Sequence, residues 1–412
     1  MAVVGTVIAH AIRFWENGTQ DNVIGARAIL VSDMKYRKFG KLDFKPSALG
    51  FGAMRLPFVD GDLAKIDEPQ AIDMIRYAID NGVNYVDSAY VYHRGQSEVV
   101  VGKALKDGYR EKVKLATKLP CWLIKTADEF DKIFNEQLQR LQTDHIDFYL
   151  LHGLGANSWP RIKDLGVFTW AEEKIKEGKI RHLGFSFHDP LPLFREIVDS
   201  NPWDFCQIQY NYMDTNFQAG TEGLKYAAKK GLAVVIMEPI AGGRLAVEPP
   251  TAIKELWAEG HHRWKPAEWA LQWVWNHPEV SVVLSGMSNM EQVVENVKAA
   301  GRSGAGKLTR DGLMLVDRVA GKYREVGFIT CTGCRYCAPC LSGVAIPEIF
   351  SLVNEFYMKD RDPAVKAKYV AQLRQEQWAN NCTSCGRCEE LCPQHLPIRS
   401  LLREAHQRVE VG

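Results

Sequence analysis

The chain is short of several things at once. Its formal net charge is only +1, from 51 Lys and Arg against 50 Asp and Glu. No single-sign field is available to draw in nucleic acid, and none is expected as a partner. The apolar stretch from Ala2 to Ile12 is too short to cross a bilayer as a helix. It also lacks a basic run before it and a convincing cleavage site after it, so the cytoplasm is the expected compartment, with no membrane partner. No short apolar run opens into a Gly-x-Gly-x-x-Gly turn, which weakens a doubly wound sheet as the architecture. Cysteine is nearly missing from the first 330 residues: Cys121 and Cys206 stand alone there, each read as a small buried hydrophobe rather than a nucleophile.

What the chain has is concentrated near its end. Eight of its ten cysteines fall in two boxes, Cys331-Thr-Gly-Cys334-Arg-Tyr-Cys337-Ala-Pro-Cys340 and Cys382-Thr-Ser-Cys385-Gly-Arg-Cys388-Glu-Glu-Leu-Cys392-Pro393. A Cys-x-x-Cys-x-x-Cys run lets one tight loop supply three of the four soft thiolates that an iron–sulfur cluster needs, the fourth coming from across the domain. The expected sets are Cys331, Cys334, Cys337 and Cys392 for one [4Fe-4S] cluster and Cys382, Cys385, Cys388 and Cys340 for the other. The first box departs from the usual pattern, with two spacers before Cys340 and no proline directly after it, so Cys340 is the weakest member. Structural zinc uses two Cys-x-x-Cys pairs and leaves the third cysteine of each loop unexplained. Thiolate ligands assemble under reducing conditions, which agrees with the cytoplasm.

From residue 48 to about 300, short apolar runs alternate with longer amphipathic ones. The apolar runs begin at Ala48, Tyr85, Val113, Ile146, Ile180, Phe205, Ala233 and Val280. Between them the spacing predicts helices such as 70–81, 97–106, 127–141, 221–230, 266–276 and 290–300. Eight strand–helix units in that length are the arithmetic of a closed (β/α)₈ TIM barrel, an α/β fold whose strand ends converge on one face. Before it, Met34 to Lys45 read as two short alternating pieces around Gly40, a hairpin. Residues 1–33 show no sustained period; they are either a genuine extension or the product of a start placed one Met before Met34, and both readings stay open. Residues 346–378 read as two helical runs separated by Lys359 to Pro363, so the cysteine-rich domain is expected to be mainly helical.

The strand ends carry chemistry. Asp87 and Tyr92 follow the second strand, Lys118 closes the third, His152 the fourth, and Ser186, Gln207 and Glu238 follow on the next three. Tyr92 suits the role of proton donor to a carbonyl oxygen. An ordinary phenol has a pKa of about 10, and a nearby ammonium such as Lys118 is expected to lower it. Asp87 would hold that ammonium, and His152 would orient the carbonyl or share the proton. Singly each has an ordinary structural reading; together they form a catalytic candidate.

The segments Gly82-Val-Asn-Tyr-Val-Asp87-Ser-Ala-Tyr-Val-Tyr92-His-Arg-Gly-Gln-Ser-Glu98, Leu115-Ala-Thr-Lys118 and Leu150-Leu-His152 resemble the aldo-keto reductase family, over about residues 34–300. The cysteine boxes after them resemble the ferredoxin-like extension of an iron–sulfur-containing branch. The resemblance implies hydride transfer between a nicotinamide cofactor, NAD(H) or NADP(H), and an aldehyde or ketone. By position Tyr92 is then the general acid, with Lys118, Asp87 and His152 completing a tetrad. It also implies that Ser186 and Gln207 hold the nicotinamide amide, that Met237 packs on its ring, and that Glu295 and Asn296 contact the adenine end. Three departures stand out: Met237-Glu238-Pro239 replaces an aromatic before Ser-Pro, Phe187 follows Ser186 where Asn is frequent, and 284–296 lacks the Lys and Arg that clamp the 2′-phosphate of NADP. The stretch therefore favours NADH or very weak nicotinamide binding, with Arg244 and Lys298 as nearby cations that could supply the charge. The domain order expected is an extension over 1–33, the barrel over 34–300, a linker with a short helix over 301–330, a ferredoxin-like domain over 331–400 and a tail over 401–412.

Three functional readings follow: a carbonyl reductase whose clusters wire it to a ferredoxin or another redox partner; a reductase whose clusters are structural; and an iron–sulfur electron-transfer protein whose barrel is a docking module without nicotinamide-dependent activity. For the substrate, Trp159 and Phe168 within 153–170 are expected either to roof the pocket or to pack helices, as are Trp257, Trp264 and Trp269.

Overall fold

A computed structural model describes residues 33–409. Apart from Asp33, the extension over 1–33 lies outside the described residues. Eight short runs rich in β-branched and aromatic residues form the strands β1 (Leu49–Gly52), β2 (Tyr85–Asp87), β3 (Lys114–Pro120), β4 (Ile146–Leu154), β5 (Ile180–Phe187), β6 (Phe205–Gln209), β7 (Ala233–Met237) and β8 (Val280–Gly286). They pair in parallel in chain order, and β8 returns to β1 with Leu49 opposite Val283, closing the barrel. Strands buried on both faces read as nearly continuous apolar text, which is why each is visible in the sequence.

The barrel interior is packed rather than open. Tyr85, Phe148, Phe205, Val235, Val282 and Leu284 fill it. The close packing requires glycine at Gly184, where a Cβ would lie 2.5 Å from the Phe205 ring. At the amino end of the strands, the hairpin read around Gly40 is present as the bridges Tyr36–Ser47 and Phe39–Leu42. Its Phe39 is fully buried and lies 4.7 Å, centroid to centroid, from Phe148, plugging the floor. Burying such a ring stabilises the fold by about 1.5–3 kcal/mol.

Around the barrel lie α1 (Glu68–Asp80), α2 (Gln96–Ala104), α3 (Asp128–Leu141), α4 (Trp159–Asp164), α5 (Val167–Lys176), α6 (Leu191–Ser200), α7 (Gly220–Lys229), α8 (Thr251–Ala258), α9 (Pro266–Trp275) and α10 (Met290–Gly301). Local chemistry sets several ends: Asp67 accepts from the Gln70 amide to cap α1, and Asn289 accepts from Gln292 to cap α10. Residues 301–330 are more than a linker. They contain α11 (Arg310–Val326), capped by Thr309 and ended by Gly327 at φ 78°, and its Leu315, Val316, Val319 and Ala320 join the barrel's outer core.

The cysteine-rich domain is mainly helical: α12 (Ile346–Met358), α13 (Ala364–Gln372), a short α14 (Arg387–Glu390) and α15 (Ile398–Val409). Ile349, Phe350, Val353, Tyr369 and Leu402 make its core, against which six of the eight box cysteines pack. Because Leu402 and Ala405 are buried there, α15 belongs to this core beyond residue 400, where a tail was expected. Among the described residues no helix is long and apolar enough to cross a membrane.

Candidate active site

Parallel strands deliver their carboxyl ends to one rim, and there the side chains singled out in the sequence meet. Lys118 is fully buried, and its ammonium has three hydrogen bonds to give. It donates to Asp87 Oδ1 at 2.5 Å, to the Ser88 carbonyl at 2.7 Å and to Tyr92 Oη at 3.3 Å. Burial lowers the pKa of Lys118 and raises that of Asp87, and the contact between them opposes both effects, which favours the charged pair. Because Lys118 donates to the phenol oxygen, the phenol's own proton is left to point into the cavity. His152 stands beside Tyr92, the two rings 6.0 Å apart and nearly perpendicular.

The electrostatics differ from the expectation in one respect. Burial, with Tyr336, Asp87 and Glu238 nearby, holds the Tyr92 phenol well above its ordinary value, so Lys118 does not lower it. Burial, helped by Lys118 and His188, pushes His152 well below its ordinary value and keeps it neutral. Behind Lys118 lies a shell that sequence reasoning missed. Glu98 is fully buried and accepts from Thr117 at 2.6 Å, Gln137 at 2.8 Å and Arg140 at 3.3 Å, while Gln137 also donates to the Lys118 carbonyl. Only the ladder of polar residues at 98, 117 and 137 hinted at it.

These groups open onto a cavity of about 2170 Å³ that crosses the rim. Gln207 and Met237 line it near the tetrad, and Glu295 and Asn296 line its far end. Gln207 Oε1 is buried without a partner among the described residues. Ser186 stands apart from this lining, its hydroxyl accepting from the Gly153 amide at 2.8 Å. At the far end Lys265 pairs with Glu295 and, at 3.7 Å, with Glu291. Arg244 lines the cavity and donates to the carbonyls of Ala241 and Ile329, whereas Lys298 is exposed outside the lining.

Trp159 and Phe168 do not roof the cavity; they pack edge to face at 6.0 Å, with Phe168 also against Trp203. Trp257 and Trp269 stack on each other at 5.0 Å, also outside the lining, as does Trp264. The aromatic walls come instead from Trp122, 4.9 Å from the His152 ring, and Tyr336, two residues that nothing in the sequence marked for this position. Cys121 and Cys206 are buried, and burial pushes both thiols up, Cys121 to about 12, which suits packing rather than nucleophilic chemistry.

The box cysteines fall into two groups. Cys331, Cys334, Cys337 and Cys392 act electrostatically on one another, and Cys331, Cys334 and Cys392 line the same cavity as the tetrad. Burial pushes the Cys334 and Cys337 thiols up to about 12. Cys340, Cys382, Cys385 and Cys388 line a second, smaller cavity that Cys337 also borders, and Cys385 is exposed. The first group is fixed to the barrel. Arg55 donates to the Thr332 carbonyl, and Gly242 leaves only 2.5 Å between a would-be Cβ and that same oxygen.

Comparison with known proteins agrees with this geometry. Residues 48–303 match the aldo/keto reductase family, and residues 330–397 match a 4Fe-4S dicluster domain. Similar proteins include L-galactose dehydrogenase of Arabidopsis thaliana, 31% identical over 65% of this chain and 89% of that protein. The NADH-specific methylglyoxal reductase of Escherichia coli is 28% identical over 65% of this chain and 93% of its own length. Among solved structures, an aldo-keto reductase of Bacillus halodurans in its holo form is 29% identical, with a TM-score of 0.58, over 69% of this chain and 96% of that one.

Proposed function

Because this chain belongs to the aldo/keto reductase family and is an oxidoreductase of that carbonyl-reducing class, we propose that Tyr92 is the acid that protonates its substrate's oxygen. The observation that carries this reading is the buried run Asp87–Lys118–Tyr92, which ends on a phenol at the cavity. Asp87 holds the ammonium, Lys118 donates to the phenol oxygen, and the phenol's proton goes to the carbonyl oxygen as negative charge develops on it. Polarising the phenol in this way stabilises that charge without ionising Tyr92 beforehand. Neutral His152 does not protonate the carbonyl; its Nε2 faces the Tyr336 hydroxyl at 3.4 Å. A nicotinamide cofactor in this cavity would supply the hydride.

The cavity's chemistry fits such a cofactor. Gln207 Oε1 lacks a partner among the described residues and would accept from a carboxamide, and Met237 offers a polarisable surface for a ring. Glu295, Glu291 and Asn296 at the far end suit a ribose without a 2′-phosphate, so NADH is the preferred form. The name of the Escherichia coli relative points the same way.

The eight box thiols fit two [4Fe-4S] clusters, with Cys331, Cys334, Cys337 and Cys392 holding one and Cys340, Cys382, Cys385 and Cys388 the other. One group lines the substrate cavity and the other reaches the surface at Cys385. Two clusters so held would offer a path for single electrons between the cavity and a ferredoxin or similar partner, whereas hydride transfer from NADH to a carbonyl would not itself draw on them. Cluster assembly under reducing conditions supports the cytoplasm as the compartment.

The test is carbonyl-dependent oxidation of NADH and NADPH by anaerobically purified protein, with iron and sulfide quantified on the same sample. Turnover supports the reductase. Full clusters without turnover favour the alternative, an electron-transfer protein with a docking barrel.

A further inference from the structure

The cavity wall beside the tetrad is supplied by the cysteine-rich segment itself. Tyr336 is a spacer residue of the first box, and its hydroxyl lies 3.4 Å from His152 Nε2. The His152 ring is flanked on one side by Tyr92 at 6.0 Å and approached by Tyr336 at 6.5 Å, with Trp122 at 5.7 Å from Tyr336 completing the enclosure. The loop is held in place by the Arg55 bond to Thr332 and by an Arg335–Glu348 ion pair. Two phenols from separate domains therefore border one cavity, and both approach the same imidazole.

Neutral His152 takes a single role at Nε2. When it donates to the Tyr336 oxygen, the Tyr336 hydroxyl keeps its proton for an acceptor in the cavity it lines. Tyr92 serves the reacting oxygen, and Tyr336 reaches the same cavity from the cysteine-rich loop. A substrate with a second oxygen beside the reacting one would engage both hydroxyls.

We propose that Tyr336 is a substrate-binding residue that donates a hydrogen bond to a second oxygen next to the reacting carbonyl, so that the iron–sulfur loop selects α-oxygenated carbonyl compounds such as diones and hydroxyketones. The hydroxyl, lent by a cluster loop, makes substrate choice depend on the docked domain. This rests on the carbonyl-reductase reading of the same site.

The test compares 2,3-butanedione with 2-butanone, which share a carbon skeleton and differ in the second oxygen. Steady-state kinetics with NADH are paired with calorimetric titration of each ketone into anaerobic holoprotein containing NAD⁺, where no hydride is available. Tyr336→Phe is expected to weaken dione binding and raise its KM by about tenfold, the loss of one hydrogen bond. 2-Butanone should lose clearly less than the dione, with NADH affinity and iron content unchanged. Equal effects on the two ketones, or none on either, would overturn the proposal. Should Tyr336→Phe lose iron, Tyr336→Trp keeps a ring and an N–H donor and is expected to retain the dione preference; its loss there with iron intact counts against the proposal. Lack of nicotinamide-dependent turnover by the wild type would remove the reductase reading, while the titrations still decide the role of Tyr336.

Discussion

Gln394 and Gln209 exchange both amide hydrogen bonds, at 2.7 and 3.1 Å, across 185 residues of chain. One residue lies two positions after Cys392 and the other at the end of β6, two positions after Gln207. The neighbours on either side of Gln394 are tied down as well: the Pro393 carbonyl accepts from Gln218, and His395 Nε2 donates to the His188 carbonyl at 2.7 Å. The fourth thiol of the inner group is thereby pinned to the barrel rim.

Replacing Gln394 with Ala removes both bonds and leaves part of the buried Gln209 amide without its partner. The expected cost is about 1–3 kcal/mol. It should be read as a lower thermal midpoint and faster loss of iron under chelator. An unchanged midpoint and iron half-life would mean that the pair does not hold the domains together.

The pH profile of turnover should be flat where ordinary side chains would titrate. His152 lies well below 6.5 and so is already neutral above that pH, while Tyr92 lies well above 10.0 and so remains protonated below it. Between these limits neither group changes charge, and log kcat/KM should show no inflection near 6.5. An inflection there that disappears in His152→Gln would assign His152 a proton-transfer role instead.

Cofactor choice should follow the far end of the cavity. A 2′-phosphate beside Glu291 and Glu295 meets carboxylates, and Lys265 is already paired with both. We expect kcat/KM for NADH to exceed that for NADPH by at least about tenfold, equivalent to about 1.4 kcal/mol. Glu291→Lys should narrow the gap. Equal use of the two cofactors by the wild type would contradict this assignment.

Removing one thiol from each group should separate their roles. Cys331→Ser and Cys385→Ser are each expected to lose about half of the iron, since each disturbs one four-thiolate set. Only Cys331→Ser should also weaken NADH binding, because Cys331 lines the tetrad's cavity whereas Cys385 is exposed. Iron loss to the same low level in both variants would reject the partition into two sets.

Much of this arrangement is legible in the amino-acid sequence. All eight strands lie where apolar runs stand, because strands covered on both faces cannot alternate with polar residues. The six helices bounded from periodicity, from Glu68–Asp80 to Met290–Gly301, fall within about two residues of their expected ends. The tetrad is readable because strand ends converge by topology. Tyr336 and Trp122 are not, since their position depends on one domain docking on another. The raised phenol of Tyr92 escapes sequence reasoning for a similar reason. A nearby ammonium is visible in the order of the residues, but the burial that outweighs it is not.

The central claim is that this chain reduces carbonyl compounds with Tyr92 as the acid. Its most direct test is anaerobic, carbonyl-dependent NADH oxidation by wild type and Tyr92→Phe, both with full iron and equal NADH affinity. Turnover by the wild type and a loss of about 10²–10⁴-fold in kcat in the variant are expected. Equal rates for the two proteins, or no turnover by fully loaded wild type, would contradict it.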